Sequence, residues 1–395
     1  MTGQAQSIPA IAAEQTEQPE FQTGQVLTIT GGHFVHDTFS AFISPLLPLI
    51  IEKLSLSLTS AGVLWGVIQI PGLLMPFVGY LADRLSLRYF VILAPAITAT
   101  VMSLLGLAPN YATLVLLLLA AGVSVTAFHA PAPPMISRVA GQQVGKGMSI
   151  FMAGGELGRT VGPLVAVWAV STWGLSGYAR IMVLGWATSL ILYWRLHNIA
   201  ARPDQRQNLA AMLPAIRTLF VPLFGITMAQ QFLLTGLSAF LPTFMSLNGA
   251  SLWVAGASLS IWELAGVGGA LASGTLSDRL GRKFVLLAAA ISSAGLMAVF
   301  LSLSGWLLVP VLLLLGFTTL SSFPVLLTIV QEQMPHHRAT ANGVFLSMSF
   351  VTRPLAAYAI GAMGDSFGLS TAFLAAAGIS LLAIPLIFTL PERPS

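Results

Sequence analysis

The segment GYLADRLSLR, residues 79–88, decides how this chain is read, because it returns at residues 274–283 as GTLSDRLGRK. Both copies open on a glycine (Gly79, Gly274), place an aspartate four residues later (Asp83, Asp278) and follow it with an arginine (Arg84, Arg279). Each copy follows one long apolar stretch and precedes another. They lie 195 residues apart in a chain of 395, about half its length. That spacing describes two related halves, each with a charged turn between its second and third apolar segments.

Composition says what those segments face. Hydrophobic residues make up 56 % of the chain and charged residues 8 %, against roughly 25 % charged in soluble domains. So few charges cannot clothe a soluble surface, and lipid must take that place. Residues 1–24 are polar, with Gln4, Gln6, Glu14, Gln15, Glu17, Gln18 and Glu20. A disordered N-terminal segment is expected there, not a signal peptide. The chain contains no cysteine, which excludes disulfides and thiolate metal sites. It has no Walker-type loop, no His-Glu-x-x-His and no Gly-x-Ser-x-Gly, so ATP-driven and hydrolytic chemistry are not expected. No cofactor is expected.

A crossing helix needs about 20 mostly apolar residues. Breaks at Gly, Pro, Asn and charges give twelve spans, near 25–51, 59–82, 89–108, 111–137, 146–172, 179–197, 216–246, 251–277, 284–303, 306–333, 340–363 and 369–390. An even number puts both termini on one side. With the N-terminus inside, thirteen basic residues fall on the cytoplasmic side: Arg84, Arg88, Arg138, Lys146, Arg195, Arg202, Arg206, Arg217, Arg279, Arg282, Lys283, Arg338 and Arg393. Only Lys53 and Arg180 fall outside. This bias predicts cytoplasmic termini, and it accounts for the net charge of +4 without nucleic acid. The expected organisation is a six-helix bundle over 25–197, a cytoplasmic linker over 198–215, a second bundle over 216–390 and a tail over 391–395.

The repeat reaches beyond the turns. AFISP at 41–45 parallels SAFLP at 238–242, and Arg159 precedes Arg353 by 194 residues. The second turn, with Gly274, Asp278, Arg279, Gly281, Arg282 and Lys283, carries the full signature of the major facilitator superfamily, which the chain resembles over about residues 25–390. The first copy departs at Ser86, where the pattern has glycine. The resemblance implies an all-α membrane protein: twelve transmembrane helices in two pseudo-symmetric six-helix bundles, working by alternating access. A narrower resemblance runs through Gly32, His33, Phe34 and Asp37, then Phe128 and His129, then SIFMAGGELGRTVGP at 149–163. These look like the fosmidomycin-resistance exporters, bacterial inner-membrane drug:proton antiporters. Glu156 and Arg159 stand where that subfamily is expected to be uncharged, and the fourth span lacks the arginine common among such antiporters.

Polar groups inside a bilayer are costly and mark function. In the first span His33, His36 and Asp37 are expected to line a cavity with Ser40 and Ser44, or to tie the span to His129. His33, His36 and Asp37 also suit a divalent metal. Glu156 and Arg159 lie one turn apart in the fifth span, either neutralising each other or forming a proton-sensitive pair. Arg353 has no acid within two turns of its own helix, and Glu263 is isolated in the eighth span. Gln230, Gln231 and Thr235 are expected on the cavity wall of the second half. Gly154, Gly158 and Gly162 make a small-residue stripe, and Gly266 and Gly269 offer a second.

The expected function is proton-coupled export of a small toxic compound, anionic or amphipathic, from the bacterial inner membrane. Protons are expected at Asp37, Glu156 and Glu263. Substrate is expected at His33, His36, His129, Arg159, Gln230, Gln231 and Arg353. Gating is expected at Gly79, Asp83, Arg84, Arg138, Gly274, Asp278, Arg279 and Arg282. The expected partners are a small-molecule substrate, protons and the lipid bilayer, and the chain is expected to act as a monomer. The alternatives are proton-coupled import of a small organic anion, and divalent-metal export through His33, His36 and Asp37.

Overall fold

A computed structural model describes residues 20–75, 77–78, 87–198, 219–335 and 338–391, without the side chains of 338–340. The first charged turn, with Gly79, Asp83, Arg84 and Ser86, lies outside the described residues. So do residues 1–19, the linker from residue 199 onward, His336, His337 and Arg393.

Among the described residues the chain forms α-helices and short 3-10 turns, with no strand. The first half contains α1 (Thr23–Ser40), α2 (Ile43–Leu54), α3 (Leu58–Val67), α4 (Arg88–Ser103), α5 (Tyr111–His129), α6 (Ala132–Val139), α7 (Val144–Gly177) and α8 (Met182–Leu196). The second half contains α9 (Val221–Leu247), α10 (Leu252–Leu280), α11 (Arg282–Ser302), α12 (Leu308–Gln333), α13 (Arg338–Phe367), α14 (Leu369–Ser380) and α15 (Ala383–Thr389).

Local chemistry explains the breaks. Pro45 lacks an N–H and would clash with the carbonyl four residues back, so the first span splits into α1 and α2 at Ala41–Phe42. Pro131 and Pro133 likewise separate α5 from α6 just after His129. Among the described residues, ten helical stretches are long and apolar enough to cross a bilayer. One of them, Val144–Leu196, has 53 residues, far more than one crossing uses. It is interrupted by Gly174, at φ 72°, and by a 3-10 turn at Tyr178–Ile181. The shorter apolar stretch Leu58–Leu74 stands apart from these ten. The described helices therefore accommodate the twelve expected crossings.

Helix packing follows the repeat. Within the halves, α1 packs on α7 and α9 packs on α13. Between them, α3 packs on α13 and α7 packs on α10. The repeat exchanges these last two contacts, since the second and fifth spans correspond to the eighth and eleventh.

The apolar cores are unevenly distributed. A single cluster joins both halves at one end, combining Phe39, Phe42, Leu46, Trp65 and Tyr178 with Phe240, Leu241, Trp262 and Phe373. At the opposite end, where the second charged turn lies, each half keeps a separate cluster. One contains Val26, Ile29, Phe128 and Phe151; the other contains Phe220, Leu223, Ile329 and Phe345. Among the described residues, the apolar cluster shared by the two halves lies at one end.

Candidate functional site

The glycine stripe places α1 against α7. A Cβ on Gly154 would meet Thr30, one on Gly158 would meet the Phe34 carbonyl and Asp37, and one on Gly162 would meet Thr38 and Ala41. Gly155 does the same for the His33 ring. A larger residue at any of these positions would push α1 and its polar groups away. The second stripe behaves alike: Gly266 and Gly269 of α10 receive Leu320 and the Phe317 backbone of α12.

Asp37 sits at the centre of this contact, 2 % exposed. His33 Nε2 lies 3.3 Å from Asp37 Oδ2, His129 Nε2 lies 3.6 Å from Oδ1, and Arg159 Nη1 lies 3.7 Å from Oδ2. Arg159 also pairs with Glu156, one turn earlier. Both histidines are oriented by backbone. His33 Nδ1 bonds the Phe151 carbonyl at 2.8 Å, and His129 Nδ1 bonds the Val125 carbonyl at 2.9 Å. A carbonyl only accepts, so Nδ1 carries the hydrogen in each ring. The two Nε2 atoms then face each other at 3.3 Å.

His36 lies beside His129, with ring centroids 5.6 Å apart, but hydrogen-bonds none of this group. It is fully buried and stacks on Phe128 at 4.5 Å, and neither ring nitrogen has a hydrogen-bond partner. The potential metal-ligating group among the described residues is His33 and Asp37 of α1 with His129 of α5, with atoms within 4.8 Å of one another, in place of the expected set with His36. Ser40 donates to the Asp37 carbonyl, and Ser44 accepts from Trp65. Both hydroxyls are thus engaged locally.

Arg159 lies fifteen residues from the start of α7, about 22 Å along the helix and so near mid-bilayer. Its side chain is 41 % exposed. The charges of Arg159, Glu156, Glu263 and Arg353 act on one another, although Glu263 and Arg353 come from the opposite half. Among the described residues Arg353 forms no ion pair within 4.0 Å. Arg353 and Glu263 therefore form no salt bridge with each other. Gln230 and Gln231 are engaged within the second half: Gln230 donates to Ser322 at 3.3 Å, and Gln231 accepts from Thr235 at 3.3 Å.

At the second charged turn, Gly281 ends α10 and starts α11 at φ 95°, a conformation that favours glycine. Arg282 Nη2 then meets Asp278 Oδ1 at 2.6 Å and Glu332 Oε1 of α12 at 2.9 Å. It also donates to Ser277. Sequence reasoning missed Glu332. Its signal was the repeat, since Glu332 follows Arg138 by 194 residues. It also missed Asp365, which bonds α3 across the two halves and has no repeat counterpart to announce it.

Comparison with known proteins agrees with this architecture. A profile described as Major Facilitator Superfamily matches residues 29–357. The chain is 27 % identical to an uncharacterized MFS-type transporter, YfnC, of Bacillus subtilis (strain 168), covering 98 % of each. It is 24 % identical to the fosmidomycin resistance protein of Escherichia coli (strain K12), covering 100 % of this chain and 98 % of that one. The fold superposes with TM-score 0.80 and 15 % identity on a bacterial homolog of the human lysosomal transporter Spinster, in an inward-facing and occupied conformation, covering 93 % of this chain and 96 % of that one. A match over most of the chain, with a charged turn built on Gly281 and Arg282 and two packed helical halves, places this protein in the major facilitator superfamily.

Proposed function

We propose that this transporter exports a small toxic compound, anionic or amphipathic, across the bacterial inner membrane in exchange for protons, with Arg159 and Arg353 as the anion-binding pair. The geometry that supports this reading is Arg159 beside the buried α1 site, 3.7 Å from Asp37, and Arg353 of the opposite half, which forms no ion pair within 4.0 Å among the described residues. Two guanidiniums repel each other, and an anion that accepts from both offsets that repulsion. A phosphonate or carboxylate satisfies two planar forks at once. The likeness to the fosmidomycin resistance protein supports the compound class and the outward direction.

Asp37 and Glu156 hold Arg159, and Glu263 acts on both arginines. A proton taken up by Glu156 or Asp37 loosens that hold. The charged-turn end is cytoplasmic in this reading, so halves joined only at the opposite end correspond to a carrier open to the cytoplasm.

The sign of the coupling favours a second reading, proton-coupled import. If protonating Glu156 frees Arg159 for an anion, proton and anion bind together, which suits co-transport more directly than exchange. The test uses the purified protein in proteoliposomes, with fosmidomycin as the probe and a pH gradient imposed in either sense. Uptake driven by an acidic lumen supports exchange. Uptake driven by an acidic exterior supports co-transport. Absence of uptake under both gradients overturns fosmidomycin as a cargo.

A further inference from the structure

We propose that His33 Nε2, His129 Nε2 and a carboxylate oxygen of Asp37 form a three-ligand site for a divalent first-row transition ion of the zinc class. The inference concerns an ion site on α1 and α5 and does not depend on which compound is carried.

Three independent features of the cluster carry it. The first is spacing. Ligands bound tetrahedrally at about 2.0–2.2 Å from one ion lie about 3.3–3.6 Å from each other. The two Nε2 atoms are 3.3 Å apart, His33 Nε2 is 3.3 Å from Asp37 Oδ2, and His129 Nε2 is 3.6 Å from Oδ1. Two of these edges, between the Nε2 atoms and from His129 to Oδ1, belong to a face built on Oδ1, and one donor atom from each of the three residues lies within 4.8 Å of the others.

The second is orientation. Both rings donate Nδ1–H to a main-chain carbonyl, of Phe151 and of Val125. That is the support metal-binding histidines take, because it fixes the tautomer and turns the Nε2 lone pair inward. Here it turns both lone pairs toward the same carboxylate. A single proton between them relieves one pair of acceptors; an ion relieves all three.

The third is an unsatisfied acceptor. Asp37 Oδ1 is buried and accepts no hydrogen bond, which is costly in this setting. Oδ2 already has Arg159 beside it at 3.7 Å. Oδ1 is thus the oxygen left for the ion, while Arg159 steadies the other.

Every charged or titratable group around the cluster can be named. His36 is on the same helix and stacked on Phe128. Glu156 and Arg159 come from α7, and Glu263 reaches Arg159 from α10. Asp37, Glu156 and Arg159 together carry one net negative charge, which a divalent ion outweighs by one. Two imidazoles and one carboxylate suit zinc, cobalt, nickel or ferrous iron, not the oxygen-seeking calcium or magnesium. The fourth corner stays open, and His129, 28 % exposed, is the way in.

The test is cobalt spectroscopy on the full-length protein, purified through a tag without histidine and with His197, His336 and His337 replaced by Asn. One equivalent of Co2+ is expected to give the intense visible bands of a four-coordinate N/O site, displaced by one equivalent of Zn2+. Binding is expected to weaken at least tenfold in His129→Gln and in Asp37→Asn. It is expected to survive in His36→Phe, which keeps the ring on Phe128 and removes its nitrogens. Absence of stoichiometric Co2+ and Zn2+ binding to the parent protein overturns the site and leaves the cluster holding a proton. Binding unchanged in both His129→Gln and Asp37→Asn overturns it equally.

Discussion

Asp365 of α13 caps the start of α3 in the other half, accepting Thr59 N–H at 2.9 Å and the Thr59 hydroxyl at 2.5 Å through Oδ2, and Leu58 N–H at 2.7 Å through Oδ1. The first N–H groups of a helix have no partner within the helix. Ser57, the local cap, accepts Ser60 N–H and donates to the Ser60 hydroxyl, leaving the first two N–H groups to another acceptor. The opposite half supplies the remaining acceptor, and its negative charge meets the positive end of the helix dipole.

This contact belongs to the end where both halves share one core, so its loss favours the state in which that end opens. A cap of this kind contributes about 1 kcal/mol, about a fivefold shift in a two-state equilibrium. Asp365→Ala is expected to raise labelling of a cysteine introduced at Thr59 about fivefold. The chain has no cysteine of its own, so the background is nil. Unchanged labelling would show that the apolar core alone holds that end.

The glycines of α7 give a stability prediction. Gly158→Val drives its side chain into the Phe34 carbonyl and the Asp37 Cβ. Overpacking of this kind costs about 1–3 kcal/mol, and here it also displaces Asp37 from Arg159. The melting temperature in detergent is expected to fall by several degrees. Gly145→Ala, with open space around its Cβ, is expected to leave it unchanged. Equal melting of both variants would mean that α1 can yield without cost.

The doubled turn, the apolar spans and the glycine stripes made the fold legible, because they are periodic and a bilayer leaves few alternatives to crossing helices. The centre of the site was half legible. His33, Asp37, His129, Glu156 and Arg159 stand out as polar residues in apolar spans, and they do converge. His36 stands out equally, and its position one residue before Asp37 turns it onto Phe128. Periodicity places a residue on a helix face but does not say which helix covers that face. Asp365 and Glu332 were missed for a related reason. Each acts on a helix distant in sequence, and a lone acid near a helix end resembles a solvated surface residue.

Glu332 yields a gating prediction. It shares Arg282 with Asp278, at 2.9 and 2.6 Å, and so ties the charged turn to α12. Partly exposed ion pairs contribute about 0.2–1 kcal/mol. Glu332→Gln is therefore expected to slow transport about two- to fivefold, through a less stable closure of that end, with cargo affinity unchanged. A fall in affinity with an unaltered maximal rate would place Glu332 in binding instead.

The two arginines give the sharpest comparison. Arg159 is held by Asp37 and Glu156, whereas Arg353 has no ion pair among the described residues. Substitution by lysine keeps the charge and loses the planar fork. If both arginines grip an anion, each lysine variant is expected to weaken fosmidomycin binding at least tenfold, about 1.4 kcal/mol. Their stabilities are expected to diverge. Arg159→Lys gives up contacts that order α1 against α7, so it is expected to melt lower than the parent. Arg353→Lys relieves an unpaired guanidinium and is expected to melt at the parent temperature or slightly above it. Isothermal titration and thermal unfolding on the same preparations check both halves of the prediction. Normal fosmidomycin binding in both variants would return the arginines to a purely structural role and remove the anion clamp from the proposed mechanism.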